Sequence, residues 1–195
     1  MSKSSSVESV LGSSRHGSVD SLLEAFHSAA SKADLTAYFG CFDKTGRFLG
    51  TDATENWSAT EFYSFCKPHF ARGNGWTYTP VAGSRKVTHY TQLDGTPNFC
   101  TFDEILLNEG FGTCRGSGSL LYNPEFSSWF VAAYHLSFPV PNDIAHDITN
   151  TIKAADPGLK AKLADQAAAE LLAELELEDE PKKEKGKSSK KKKGK

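Results

Sequence analysis

The sequence predicts an α+β domain: two or three helices, then a curved meander of four or five long strands, with the helices on one face of a mostly antiparallel sheet. Two observations carry this. Apolar residues recur at helical three-and-four spacing up to Phe70, and after Gly75 the period changes to two. The strand-like segments are also separated by short turns with no helix between them, which is the spacing of hairpins rather than of parallel crossovers.

The first helix follows from Val19, Leu22, Leu23, Phe26, Ala30 and Ala33. Ser18 is a good N-cap for it, and Ser21 with Glu24 offers a capping box as the alternative. Asp34 caps a second, short helix with Leu35, Tyr38 and Phe39 on its face. Cys41 to Leu49 reads as a strand interrupted by a Lys44-Thr45-Gly46 turn. A strong capping box, Ser58-Ala59-Thr60-Glu61, opens a helix carrying Phe62, Phe65, Cys66 and Phe70. Pro68 is expected to end or kink it, and Gly73 and Gly75 to stop it. The strand segments are Trp76 to Thr79, Arg85 to Tyr90, Pro97 to Leu107, Gly112 to Tyr122 and Trp129 to Phe138. Asp94-Gly95, Asn108-Glu109-Gly110 and Asn123-Pro124 supply turns.

A chain of 195 residues has room for one such domain and its appendages. The expected organisation is a flexible Ser-rich leader over residues 1–17, the domain over 18–142, a helical acidic extension over 143–180 and a disordered Lys-rich tail over 181–195. In the leader, Arg15 stands three before Ser18, a spacing some basophilic kinases accept; the plainer reading is a solvated serine. In the extension, Asp156-Pro157 looks like an N-cap and first-turn pair. It leads a narrow stripe from Leu159 to Leu175, followed by the acidic Glu178-Asp179-Glu180. The tail holds nine Lys and one Glu, a charge of +8; the total is −2, so the rest of the chain carries −10. Such a split describes a basic tail on an acidic body.

No apolar run approaches the ~20 residues of a membrane helix, and the N-terminus lacks the apolar stretch of a signal peptide. Cys41, Cys66, Cys100 and Cys114 form neither a metal-type pair nor a dense disulfide framework. These features predict a reduced, cytoplasmic or nuclear setting and exclude membrane, secreted-scaffold and wholly disordered classes. Asn56-Trp57-Ser58 matches a glycosylation sequon, but in that setting it would not meet the machinery.

Four separated motifs carry a family resemblance. They are Leu49-Gly50-Thr51-Asp52-Ala53-Thr54-Glu55-Asn56-Trp57, Gly75 to Pro80, Gly112 to Gly118, and Trp129 to Asn142. In this order they resemble the SnoaL-like branch of the nuclear transport factor 2-like superfamily, over about Leu22 to Asn142. The resemblance implies a cone: a strongly curved antiparallel sheet wrapped around the N-terminal helices, often paired as a homodimer through the outer sheet face. The superfamily includes isomerases, cyclases, dehydratases, ring-hydroxylating subunits and non-catalytic adaptors, so it implies a pocket without naming a reaction.

Alternate strand residues and the motif turn would line that pocket. The candidates for chemistry are Glu55, Glu104, His135 and Arg115; those for ligand contact are Thr51, Trp57, Trp76, Tyr78 and Tyr134. Period-two geometry admits only one of Asp103 and Glu104 to the cavity, and places His135 and Tyr134 on opposite faces. Hairpin register, which decides who meets whom, stays open. A buried Glu beside a His suits proton abstraction next to a carbonyl if burial raises its pKa. The alternative is structural, Glu55 or Glu104 pairing with Arg115, with Thr51 and Asp52 capping a turn. His27, His69 and His89 are scattered, His146 sits among surface acids, and no metal or cofactor is expected. The glycines from Gly110 to Gly118 suit a bending sheet better than a phosphate loop.

Two functional readings follow. One is a small-ligand-binding or protein-interaction module, with a small apolar ligand in the cone, a protein partner on the Leu159–Leu175 stripe and an anionic partner on the lysine tail. The other is a small-molecule isomerase, cyclase or dehydratase with Glu55, Glu104 or His135 as base and Arg115 or Tyr134 as electrophilic support.

Overall fold

The structure, a computed structural model, describes residues 6–156 together with Gly158, Ala161, Lys162 and Asp165. The rest of the Leu159–Leu175 stripe, the acidic run and the lysine tail lie outside the described residues, as do residues 1–5. The chain divides into two compact units, Met1–Pro139 and Val140–Lys195.

The first unit opens with α1 (Val7–Val10) and α2 (Val19–Ser31). Ser18 caps α2: its side chain accepts from the Ser21 N–H at 3.1 Å, and the Ser21 hydroxyl answers the Ser18 N–H. The box is thus Ser18 with Ser21 rather than Ser21 with Glu24. Asp34 caps α3 (Leu35–Gly40) and Ser58 caps α4 (Ala59–Phe70), the latter through a capping box with Glu61. Pro68 lies inside α4 without ending it, and the last turn runs on to Phe70.

One seven-stranded sheet follows, of β1 (Phe42–Leu49), β2 (Asn56–Ser58), β3 (Thr79–Pro80), β4 (Lys86–Thr91), β5 (Pro97–Asn108), β6 (Gly112–Asn123) and β7 (Ser128–Ser137). Its order is β2-β1-β7-β6-β5-β3, with β4 also on β5, and only the β1–β7 pairing is parallel. The Trp76 segment is mostly irregular rather than strand, contributing only Thr79–Pro80. A bulge at Ala132 of β7, opposite Ser119 and Leu120, and another within β1 bend the long strands. The concave face wraps α2, α3 and α4. Between them lies an aromatic core in which Phe26 and Tyr38 stack at 4.5 Å and Phe48 and Phe62 at 3.9 Å.

The flexible-leader expectation fails from Val7 onward. Val7, Val10 and Leu11 recur at three-and-four spacing within the Ser-rich run, and Val10 and Leu11 are buried in the core. The strap that follows is bonded to the sheet: the Trp129 N–H donates to the His16 carbonyl at 2.9 Å, and the His16 N–H to Ser128 Oγ at 3.0 Å. A high Ser and Gly content masked a short apolar anchor.

In the second unit, α5 (Ala145–Ala155) presents Ile144, Ile148 and Ile152, all exposed, on one stripe. Asp156 ends this helix in an extended conformation and accepts from the Gly158 N–H as an N-cap does; Gly158, Ala161, Lys162 and Asp165 are helical, in keeping with the helix start suggested there.

Leu11→Ala is expected to lower unfolding free energy in urea by about 2 kcal/mol, as for other buried leucines. A flexible leader would leave it unchanged.

Candidate functional site

Strand parity decides which candidates face the concave side. Glu104 points inward and is 0% exposed. It pairs in register with Gly116, and Gly116 with Leu136, so these positions and Tyr134 share the inner face. Arg115 and His135, each one residue out of phase, stand exposed on the outer face. The expected Glu104–Arg115 pair therefore does not form, and His135 does not reach the interior.

Two residues not singled out as site candidates take those places. His27 on α2 donates from Nε2 to Glu104 Oε1 at 2.6 Å. Arg85, just before β4, donates from Nε to Glu104 Oε2 at 2.8 Å and from a terminal nitrogen to Asp20 at 2.7 Å. Burial pushes the Glu104 carboxyl up, but its bonds and charge attraction to His27 and Arg85 together outweigh this and hold it below the usual carboxylate range. A carboxylate so held is a poor proton acceptor. His27 had a signal, since it completes the buried stripe Leu22, Leu23, Phe26, Ala30. Arg85 had none until the Lys86–Asp103 register brought it to Glu104.

Beside this cluster Tyr134 and Tyr38 are buried, and desolvation pushes both phenols well above their ordinary pKa, so they stay protonated. Gly116 makes room for Tyr134, whose hydroxyl occupies the space a Cβ would need. A void of about 20 Å³ touches His27, Tyr38 and Tyr134.

Above that void is a cavity of about 300 Å³. Phe48, Trp57, Phe62 and Phe65 form one wall, with Trp57 and Phe65 stacked at 4.9 Å. Trp76 and Tyr78 line it as well, Leu136 and Phe111 add apolar surface, and Thr51 and Glu55 belong to its lining from the motif turn. That turn is built locally. The Gly50 N–H donates to the Glu55 carbonyl at 2.8 Å, and the Glu55 carboxylate lies over the bare Cα of Gly50. Asp52, on the same turn, caps Thr54. Of the nine residues singled out, the cavity gathers Thr51, Glu55, Trp57, Trp76 and Tyr78. Tyr134 borders the small void, Glu104 is behind it, and Arg115 and His135 are elsewhere. A larger groove of about 640 Å³ is lined by Gly75, Thr77, Asn108 and Glu109 with Trp76 and Leu107, a more polar surface with fewer apolar contacts to offer.

Among the described residues no group of three His, Cys, Asp or Glu side chains is placed to hold a metal ion. The four cysteines are free and buried. Burial pushes the Cys41 thiol up to about 12, far from the thiolate a nucleophile requires. No helix among the described residues is long and apolar enough to cross a membrane.

The family model of the SnoaL-like domain matches residues 19–141. The chain belongs to the SnoaL-like family. This SnoaL-like domain is similar to several solved structures. A nuclear transport factor 2-like protein of unknown function from Pseudomonas putida is 10% identical, with 64% of this chain and 87% of that one covered and a TM-score of 0.49. A cystatin-like-fold protein from Nostoc punctiforme is 12% identical, with 61% and 86% covered and a TM-score of 0.46. A ketosteroid isomerase-like protein from Erwinia carotovora is 15% identical, with 63% and 95% covered and a TM-score of 0.41. No curated protein matches the chain.

Glu104→Gln is expected to destabilise the SnoaL-like domain by about 3 kcal/mol, because it removes the charge that compensates His27 and Arg85 and leaves one acceptor oxygen where two donors converge. Since the folded carboxyl lies below its ordinary value near 4.5, its contribution is present above that pH and is lost as pH falls through the folded value. The wild type should therefore lose stability faster than the variant below about pH 4.5, in urea titrations at stepped pH.

Proposed function

We propose that this SnoaL-like domain is a small-ligand-binding module whose site is the cavity between the motif turn and the aromatic wall. One observation carries the reading: a concave, apolar space of about 300 Å³ with a few polar groups at its edge, the composition of a small-molecule site. Stacked rings such as Trp57 and Phe65 favour a ligand with a flat or compact apolar body. Protonated Tyr78 adds a hydrogen-bond donor, its phenol raised chiefly by burial, with the Glu55 carboxylate adding to it.

Proton-transfer catalysis is the weaker reading. It needs an available base on the inner face, and Glu104 has both oxygens committed, to His27 and Arg85. Of the other candidates, Arg115 and His135 are on the outer face, and Glu55 lines the cavity from the motif turn with Oε2 already accepting from the Asp52 N–H.

Native mass spectrometry of the full chain should show a mass increment that disappears on denaturation, or, after stripping, binding from a panel of small aromatic compounds. Trp57→Ala should weaken that binding about tenfold through lost ring contact. An unliganded mass together with no binding across the panel would contradict the reading.

A further inference from the structure

The cavity carries one formal charge. None of its lining residues is Lys, Arg or His, and Glu55 is the sole acid among them. The Glu55 carboxylate forms no ion pair among the described residues; its one protein hydrogen bond there is accepted by Oε2 from the Asp52 N–H at 3.2 Å. Neighbouring acids do not share this position. The Asp52 carboxylate is turned to Thr54, and Glu61 to Ser58 at the start of α4. The nearest cation along the turn, Arg47, is directed to the Asn56 side chain and carbonyl. The pocket thus presents an uncompensated negative charge at one side and aromatic rings on the others.

Both features select the same sign of charge. A carboxylate beside low-dielectric walls focuses a negative potential into the space they enclose. Aromatic faces attract a cation lying within about 6 Å of their centroids, Trp most strongly, and the cavity contains two tryptophans. An anion would meet repulsion from Glu55 and the negative faces of the rings, with only the Tyr78 phenol and the Thr51 hydroxyl to offset it. A neutral apolar molecule would leave Glu55 partly desolvated and unpaired, which is unfavourable.

We propose that the cavity accepts a small organic cation, an alkylated or aryl-bearing ammonium compound whose charged head faces Glu55 and whose apolar body lies against Trp57, Phe65 and Trp76. An alkylated head suits this site better than a bare –NH₃⁺, which is more strongly hydrated and has more water to shed. This inference rests on the ligand-binding reading above.

The test compares three probes that share a benzyl group on the full chain: benzyltrimethylammonium, benzyl alcohol and phenylacetate, followed by isothermal titration calorimetry and tryptophan fluorescence. Benzyltrimethylammonium should bind about tenfold more tightly than benzyl alcohol, and phenylacetate should bind most weakly. Glu55→Gln should weaken the cation about fivefold and leave the alcohol unchanged. Equal or tighter binding of the alcohol or the carboxylate to the wild type would overturn the cation assignment and leave the ligand-binding reading standing. So would a cation affinity indifferent to Glu55→Gln. Failure of all three probes to bind below about 10 mM would overturn the cation assignment, and together with an unliganded native mass it would overturn the ligand-binding reading as well.

Discussion

The Glu104 carboxylate is the constraint around which this domain is arranged. It is fully buried on a central strand, a position unfavourable for an ion unless donors meet both of its oxygens. One donor, His27, comes from α2; the other, Arg85, comes from the segment before β4 and is itself tied to Asp20 at the start of α2. The network therefore joins the helix to the sheet at two heights. It fixes how α2 lies in the curved sheet, and with it the place of Phe26, whose ring contacts Tyr38, Phe42 and Tyr134.

From that arrangement the division between floor and cavity follows. The charged cluster is closed by its own partners and overlaid by protonated phenols, so the interior end is structurally committed. The exterior end has no such partner network. There the chain makes a tight turn over Gly50, sets a half-buried Glu55 beside Trp57, and leaves space between these groups and Trp76. Two carboxylates in one fold thus have opposite circumstances: Glu104 compensated and sealed, Glu55 uncompensated and facing a cavity.

Much of the fold was legible in the sequence because its signals are local. The Ser58–Glu61 box, the Asp34 cap, the change of period after Gly75 and the turn residues each depend on neighbours a few positions away. The motif around Gly50 to Trp57 likewise placed three of the nine suggested residues in one cavity, and the Gly75 to Pro80 motif added Trp76 and Tyr78. What was not legible depends on pairing across the sheet. Arg85 reaches Glu104 only because Lys86 aligns with Asp103, and Arg115 turns outward only because Glu104 aligns with Gly116. A shift of one residue would exchange these outcomes, and the turn geometry that sets the register is not read from the turn residues alone. The strap from Val7 to Gly17 was misread for a different reason: its composition is that of a linker, while three apolar side chains and two backbone bonds to the sheet side are enough to order it.

The most direct measurement is the ionisation of Glu104 itself, read from its side-chain carboxyl carbon by ¹³C NMR over a pH titration of the folded protein. The account predicts a midpoint below the ordinary glutamate range, with the carboxylate charged at neutral pH. A midpoint raised toward neutrality would contradict it, since the residue would then be an available proton acceptor and the domain's interior a reactive site instead of a structural one.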